Sequence, residues 1–401
     1  MATDDIWILG IAMTRFGKRP DQDAVGLASE AARAALQDGG VTMHDMGVLA
    51  AGNLMGSGGM GQQLQKAIGQ TGIPVYNVAN ACATGATALR TVVMALKAGE
   101  CDLGLAVGVE KLAGAGLLGG GGKRKPDRKV WEPKGRYGAV GSIDGRIGTS
   151  TMPGIFAQVG MEYAHKYQGV TFDLFARISE KNHAHSTLNP LATYQKKFTL
   201  DQIKNDVMIA YPNTRPMCSA NCDGAAAAVL VTGERLRTMS PEQQRRAVRI
   251  RASVLTSDPW SDGCQVLPDV NTLTRLAATQ AYEASGVSPD DLDLVELHDC
   301  FATAELVHYD NLMLCPEGGA ADLFESGATW RDGSIPVNVS GGLQSKGHPV
   351  AATGIANVWE ISHHLRGEAG PRQIEGARLG LAHVIGLGSA CGVHILEASG
   401  R

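Results

Sequence analysis

Aromatic side chains are scarce: Phe, Trp and Tyr make up 5% of the 401 residues, although hydrophobic residues reach 44%. A core of that composition is built mainly from Ala, Val, Leu and Ile, which are small enough for helices to lie close on a sheet. A large excess of charge of either sign is also missing, with 36 Lys and Arg against 40 Asp and Glu. A formal net charge of −4 gives no reason to expect nucleic acid or an anionic membrane as partner. No apolar run approaches the roughly 20 residues needed to cross a bilayer. Asp4 and Asp5 stand where a targeting peptide carries positive charge, and the last four residues, Ala398-Ser399-Gly400-Arg401, are not a peroxisomal signal. These absences lead us to expect a cytoplasmic protein. Paired cysteine spacings are lacking too: the eight cysteines fall at irregular intervals, which suits free thiols in a reducing compartment.

What the chain has is small residues in alternating strand and helix patterns. Ile6 to Ile11 reads as a strand, Asp23 to Asp38 as an amphipathic helix stopped by Gly39 and Gly40, and Met46 to Ala51 as a second strand. Leu103 to Glu110 is a further buried strand. From about Gly114 to Asn221 the alternation lapses into a glycine-rich run, the basic cluster Lys123 to Lys129, and helical segments around Ile155 to Tyr167 and Phe172 to Thr187. Strand patterns return at Ala225 to Val231 and Val248 to Val254. The pattern is that of a layered α/β protein.

The second half repeats the first. Ala31 to Thr42 leads into the strand near Val48 much as Ala277 to Ser288 leads into the strand near Leu294. Further along, Ala83-Thr84-Gly85 and Ala352-Thr353-Gly354 each open a helix. The offset between halves is larger at this second match, so the second half carries extra residues, which we place in the Cys315 to Pro336 loop. The expected organisation is a first half of residues 1–113 and 222–255, an inserted loop domain of 114–221, and a second half of 256–401.

Three polar clusters stand at the ends of these repeated elements. Cys82 lies where the strand-like stretch from Val75 meets a helix running to about Lys97. Unpaired backbone N–H groups and the positive end of the helix dipole there favour thiolate over thiol. The bland alternative is a structural cysteine in the core. His298-Asp299-Cys300-Phe301 follows the strand Leu292 to Leu297, at the end of an α/β strand where ligands sit. Here too, Cys300 could be core and His298 bonded to backbone. His348, in Ser345-Lys346-Gly347-His348-Pro349, holds the place before the second repeat helix that Cys82 holds before the first, unless it only satisfies a loop. Halves packed about a pseudo-dyad would bring Cys82 and His348 face to face.

Two other readings fare worse. His298, Cys300 and His308 lack a second Cys or His pair at zinc spacing, so no metal is expected. The glycine run before Lys123 is no phosphate loop, because Leu117 replaces its first glycine and Arg124 follows the lysine. The basic cluster is a solvated loop or meets an anionic cofactor tail.

Taken together, Asn77 to Gly85, Lys181 to Ser186, Asp223 to Ala228, His298 to Phe301, Leu314 to Gly318, Ser340 to Pro349 and Leu365 to Gly370 resemble the thiolase superfamily, and within it the sterol-carrier-protein type. The resemblance covers essentially the whole chain. It implies a five-layered αβαβα fold built from two duplicated halves, a homodimer or homotetramer, and acyl-CoA and CoA as substrates with no cofactor. It also implies that Cys82 is the acyl-accepting nucleophile and that His348 activates it. Most thiolases carry a second cysteine near the carboxyl terminus; the matching region, Ala382 to Ser389, has none. In the sterol-carrier type Cys300 then becomes the acid/base, and His298 an oxyanion-hole or water-holding group. One hole would use His298 and His348, the other the backbone N–H groups of Cys82 and Gly388. Cys391 is expected to be structural. Ala304, Val350-Ala351 and Val384 depart from the family pattern around the pocket. Three functions therefore stay open: cleavage of 3-oxoacyl-CoA through an acyl-cysteine, a related acyltransferase or carbon–carbon lyase needing a small partner protein, and a non-catalytic acyl-CoA carrier. The chain stops soon after Cys391, which leaves no room for a sterol-carrier domain and weighs against the last.

Overall fold

A computed structural model of the chain describes residues 5–56, 58–113, 151–259, 270–387 and 389–400. The first half contributes β1 (Ile6–Met13), α1 (Ala24–Gly39), β2 (Val48–Gly52), α2 (Met60–Ile68), β3 (Val75–Val78), α3 (Thr84–Lys97) and β4 (Leu103–Lys111). After it come α4 (Thr151–Lys166), α5 (Phe172–Ser186), α6 (Leu200–Lys204) and a small hairpin of β5 (Met208–Ala210) and β6 (Asn213–Thr214). Strand β7 (Asp223–Thr232) and the short helices α7 (Gly233–Leu236) and α8 (Pro241–Arg246) lead to β8 (Val248–Thr256). The rest is α9 (Val270–Ser285), β9 (Leu294–Glu296), α10 (Ala302–Asn311), α11 (Ala320–Glu325), α12 (Gly342–Ser345), α13 (Val350–Arg366), β10 (Leu379–Gly386) and β11 (Ala390–Ala398).

The strands run in the order β3-β2-β4-β7-β1-β8-β11-β10-β9. That order is two copies of one pattern. In the first, β2 is parallel to β3 and β4, and β7 is antiparallel to β4 and β1. In the second, β9 is parallel to β10 and bridges in parallel to Val337, while β11 is antiparallel to β10 and β8. Val337 thus stands where β3 stands, and β8 where β1 stands. Within the sheet, the described strands of the two copies pair through Trp7 with Arg249 and Ile8 with Val248. The extra residues of the second half fall mainly between α10 and Val337, around α11, as the offset of the repeat suggested.

Helices α3 and α13 pack on each other and on strands of both copies, so they form the middle of five layers. The outer layers are α1 with α2 on one side and α9 with α10 on the other. Sequence follows position. In α1 only one face is buried, along Leu27, Ala28, Ala31, Ala32 and Ala35, with Asp23 accepting from the Gly26 amide and Gly40 closing the helix at φ +63°. In α13 nearly every residue is buried, as a helix between two sheets requires. The middle helices cross through their repeat glycines. A Cβ on Gly85 would lie 2.6 Å from the Ala351 carbonyl oxygen, and one on Gly354 would lie 2.5 Å from the Ala86 amide nitrogen. Residues 151–221 add no strand to the large sheet and share the second half's core, where Phe156, Leu174 and Phe175 pack with Leu306 and Val307.

Candidate active site

The close crossing of α3 and α13 sets two turns against each other. The first is Asn80-Ala81-Cys82-Ala83, held by the Ala83 amide on Asn80 O at 3.0 Å and the Thr84 amide on Ala81 O at 3.1 Å. Ala81 sits at φ +47°, a left-handed conformation that non-glycine residues seldom adopt outside functional turns. Gly386 makes room for it, since a Cβ there would meet Asn80 O at 2.3 Å. The second is the His348-Pro349 turn opening α13.

At their junction His348 Nε2 is 3.2 Å from Cys82 Sγ, and His348 Nδ1 is 2.7 Å from Thr353 Oγ1. The threonine hydroxyl donates to Pro349 O, so it accepts from Nδ1–H. This assigns the tautomer: Nε2 carries the lone pair and faces the thiol. Burial pushes the Cys82 thiol up to about 12 and the His348 imidazole down to about 3. Burial in each case favours the neutral form, thiol beside imidazole. Burial and the helix terminus thus pull the Cys82 thiol in opposite directions. The Ala83 and Thr84 amides are used inside the turn, and burial outweighs the pull of the Cys82 amide on its own sulfur.

His298 and Cys300 reach the same place from the end of β9. The His298 ring lies 5.3 Å from the His348 ring and 6.1 Å from Phe156. Among the described residues neither of its nitrogens has a hydrogen-bond partner, although the residue is only 1% exposed. Burial, and then the nearby His348, His383 and His308, hold it well below the usual histidine range, as a neutral ring with one N–H to offer. Burial, then the neighbouring Cys82 and Asp299, hold the Cys300 thiol well above its ordinary value. Cys82, His298, Cys300 and His348 all line one cavity of about 540 Å³. Gly388 and the basic cluster Lys123 to Lys129 lie outside the described residues. Cys391 is buried in β11 within the core, away from this lining.

A buried polar frame holds the loops. Asp299 accepts from the Leu343 amide at 2.7 Å and from Asn182 Nδ2 at 2.9 Å. Lys181 pairs with Glu305 at 2.6 Å, and Lys346 with Glu296 at 3.4 Å. The His298 amide donates to His383 Nδ1 at 3.4 Å. Residues 218–221 staple the two halves of the site, because the Ser219 amide donates to Cys300 O and Ala220 O accepts from the His348 amide. Sequence reasoning passed over this segment, which carries no motif, and over Thr353, although the repeated Ala-Thr-Gly pointed at it.

Among the described residues no helix is long and apolar enough to cross a membrane. Residues 6–119 match the thiolase N-terminal domain, and residues 266–398 match a thiolase C-terminal domain-like family. Sterol carrier protein 2 of Gallus gallus is 37% identical over 395 residues, covering 96% of this chain and 70% of that protein. Acetyl-CoA acetyltransferase of Methanothermobacter thermautotrophicus is 34% identical over 405 residues, covering 98% of this chain and 99% of that one. Among solved structures, an Ltp2-ChsH2(DUF35) aldolase matches with a TM-score of 0.79 at 21% identity, over 100% of both chains. The chain belongs to the thiolase family, and its five layers are the thiolase fold.

Proposed function

We propose that the chain is a thiolase that cleaves a 3-oxoacyl-CoA with CoA through an acyl-Cys82 intermediate. The observation that carries this reading is the Cys82–His348–Thr353 relay, with an unpartnered His298 and a second thiol, Cys300, in the same cavity. Cys82 Sγ attacks the 3-oxo carbon as its proton passes to His348 Nε2, so charge appears only as the bond forms. The N–H of His298 aims into the cavity to meet an oxyanion, and such a donor contributes about 3 kcal/mol to barrier lowering. The bond between C2 and C3 then breaks. The departing enolate takes the Cys300 proton, and the Cys300 thiolate so formed takes the proton of the incoming CoA thiol. Attack of CoA on the acyl-cysteine releases Cys82, which recovers its proton from His348. Thiolysis thus balances with no redox partner.

The same reading makes the protein a homodimer or homotetramer. In support, β3 is an edge strand with Tyr76 and Asn77 exposed. A second reading, a carbon–carbon lyase or acyltransferase that needs a small partner protein, has one observation on its side. An exposed apolar strip of Val207, Met208 and Tyr211 flanks the cavity-lining Ile209. Thiolysis assays with 3-oxoacyl-CoA esters of different bulk separate the two. Turnover by the purified chain alone supports the thiolase; activity that appears only with a second polypeptide supports the other. Within the thiolase reading, Cys300→Ala should still accept an acyl group from a simple thioester yet lose carbon–carbon cleavage. Unchanged thiolysis would remove Cys300 from the acid/base role.

A further inference from the structure

The ligand-capable atoms of Cys82, His298 and His348 all lie within 4.8 Å of one another, and all three residues are buried. This is not the His298, Cys300 and His308 set that linear spacing ruled out; the trio comes from both halves of the chain. In a tetrahedral zinc site, bonds of about 2.3 Å to sulfur and 2.0–2.1 Å to nitrogen put donor atoms roughly 3.3–3.6 Å apart. Cys82 Sγ and His348 Nε2 already stand at 3.2 Å. Among the described residues both His298 nitrogens are buried without partners, so either can turn toward a cation and lose no hydrogen bond to them. Thr353 supplies what metal-ligating histidines ordinarily have, an acceptor on the far ring nitrogen that leaves Nε2 free to ligate.

We propose that this trio is a reversible Zn2+ site, in which the metal occupies the nucleophile and its base together and keeps its fourth position open to the cavity. Binding replaces the thiol proton: Cys82 S–H and Zn2+ give a zinc-bound thiolate and one released proton, so affinity rises with pH. While the metal is bound, neither Cys82 nor His348 can act on an acyl group. The inference rests on the three side chains alone and is read without substrate, so it stands or falls separately from the thiolysis reading.

The test is metal titration of the purified full chain against a chromophoric zinc indicator, repeated with Co2+ as a spectroscopic probe. One zinc per chain should bind, with loss of the site in Cys82→Ala and at least about 10-fold weaker binding in His298→Ala. Cobalt should give a thiolate-to-metal absorption in the near ultraviolet that vanishes in Cys82→Ala and in wild-type protein alkylated at Cys82. The alkylated wild-type protein keeps the test meaningful if a variant folds poorly. Zinc affinity unchanged in both variants, cobalt bound without the thiolate band, or no binding in the micromolar range would each overturn the proposal.

Discussion

The turns that open the two central helices descend from one pattern and have diverged in use. Before α3, Thr84 Oγ1 accepts from the Asn80 amide at 2.8 Å and donates to Ala81 O, so its hydroxyl is spent on backbone and shapes the turn that presents Cys82. Before α13, the corresponding Thr353 sits one turn into a helix that starts earlier, and its hydroxyl receives the His348 ring. One threonine holds a loop and the other orients a base. The lesson is that duplication delivers two helix starts to one point, and that modest changes in where each helix begins make one of them the nucleophile and the other its activator.

This contrast orders the expected effects. Cys82→Ala should lower thiolysis at least about 10³-fold, with the thermal transition nearly unmoved, because the side chain removed is small and the turn is held by backbone. His348→Asn should cost roughly 10²–10⁴-fold in kcat/KM. Gly354→Val acts on the crossing itself. Its side chain would press on the backbone of Ala86, and unfolding experiments should show a loss of about 1–3 kcal/mol or more. The threonines should then part company. Thr353→Val should reduce kcat by about 10-fold and change its pH dependence, with stability little altered, because the His348 tautomer is no longer fixed. Thr84→Val should show mainly a stability loss of about 1 kcal/mol in denaturant titrations. Equal behaviour of the two variants would erase the proposed division of labour.

The protonation states yield a finer test. Burial pushes Cys82 up to about 12 and His348 down to about 3, which favours the neutral pair and a thiolate fraction that grows as pH rises. Alkylation of Cys82 in the free protein by iodoacetamide should keep climbing beyond pH 9. A plateau across the neutral range would instead indicate a thiolate–imidazolium pair.

Much of this was readable in the chain. The repeat of Ala31 to Thr42 in Ala277 to Ser288, with Ala-Thr-Gly later in each half, carried the two-copy sheet, and the pseudo-dyad carried the meeting of Cys82 with His348. Strand ends located His298 and Cys300. The charge state of Cys82 was not legible, because it depends on burial at the meeting of the two turns, and local sequence reports only the helix dipole. Nor could sequence show that Lys181, Asn182 and Glu305 form a buried frame behind Asp299, since lysine and glutamate at helical spacing read equally well as a solvated face.

The central claim is that Cys82 carries the acyl group, and intact-protein and peptide mass spectrometry after brief exposure to a 3-oxoacyl-CoA tests it most directly. The account predicts a single acyl adduct, mapped to the peptide containing Cys82 and discharged by added CoA. An adduct on another cysteine, or full turnover by Cys82→Ala, would contradict it.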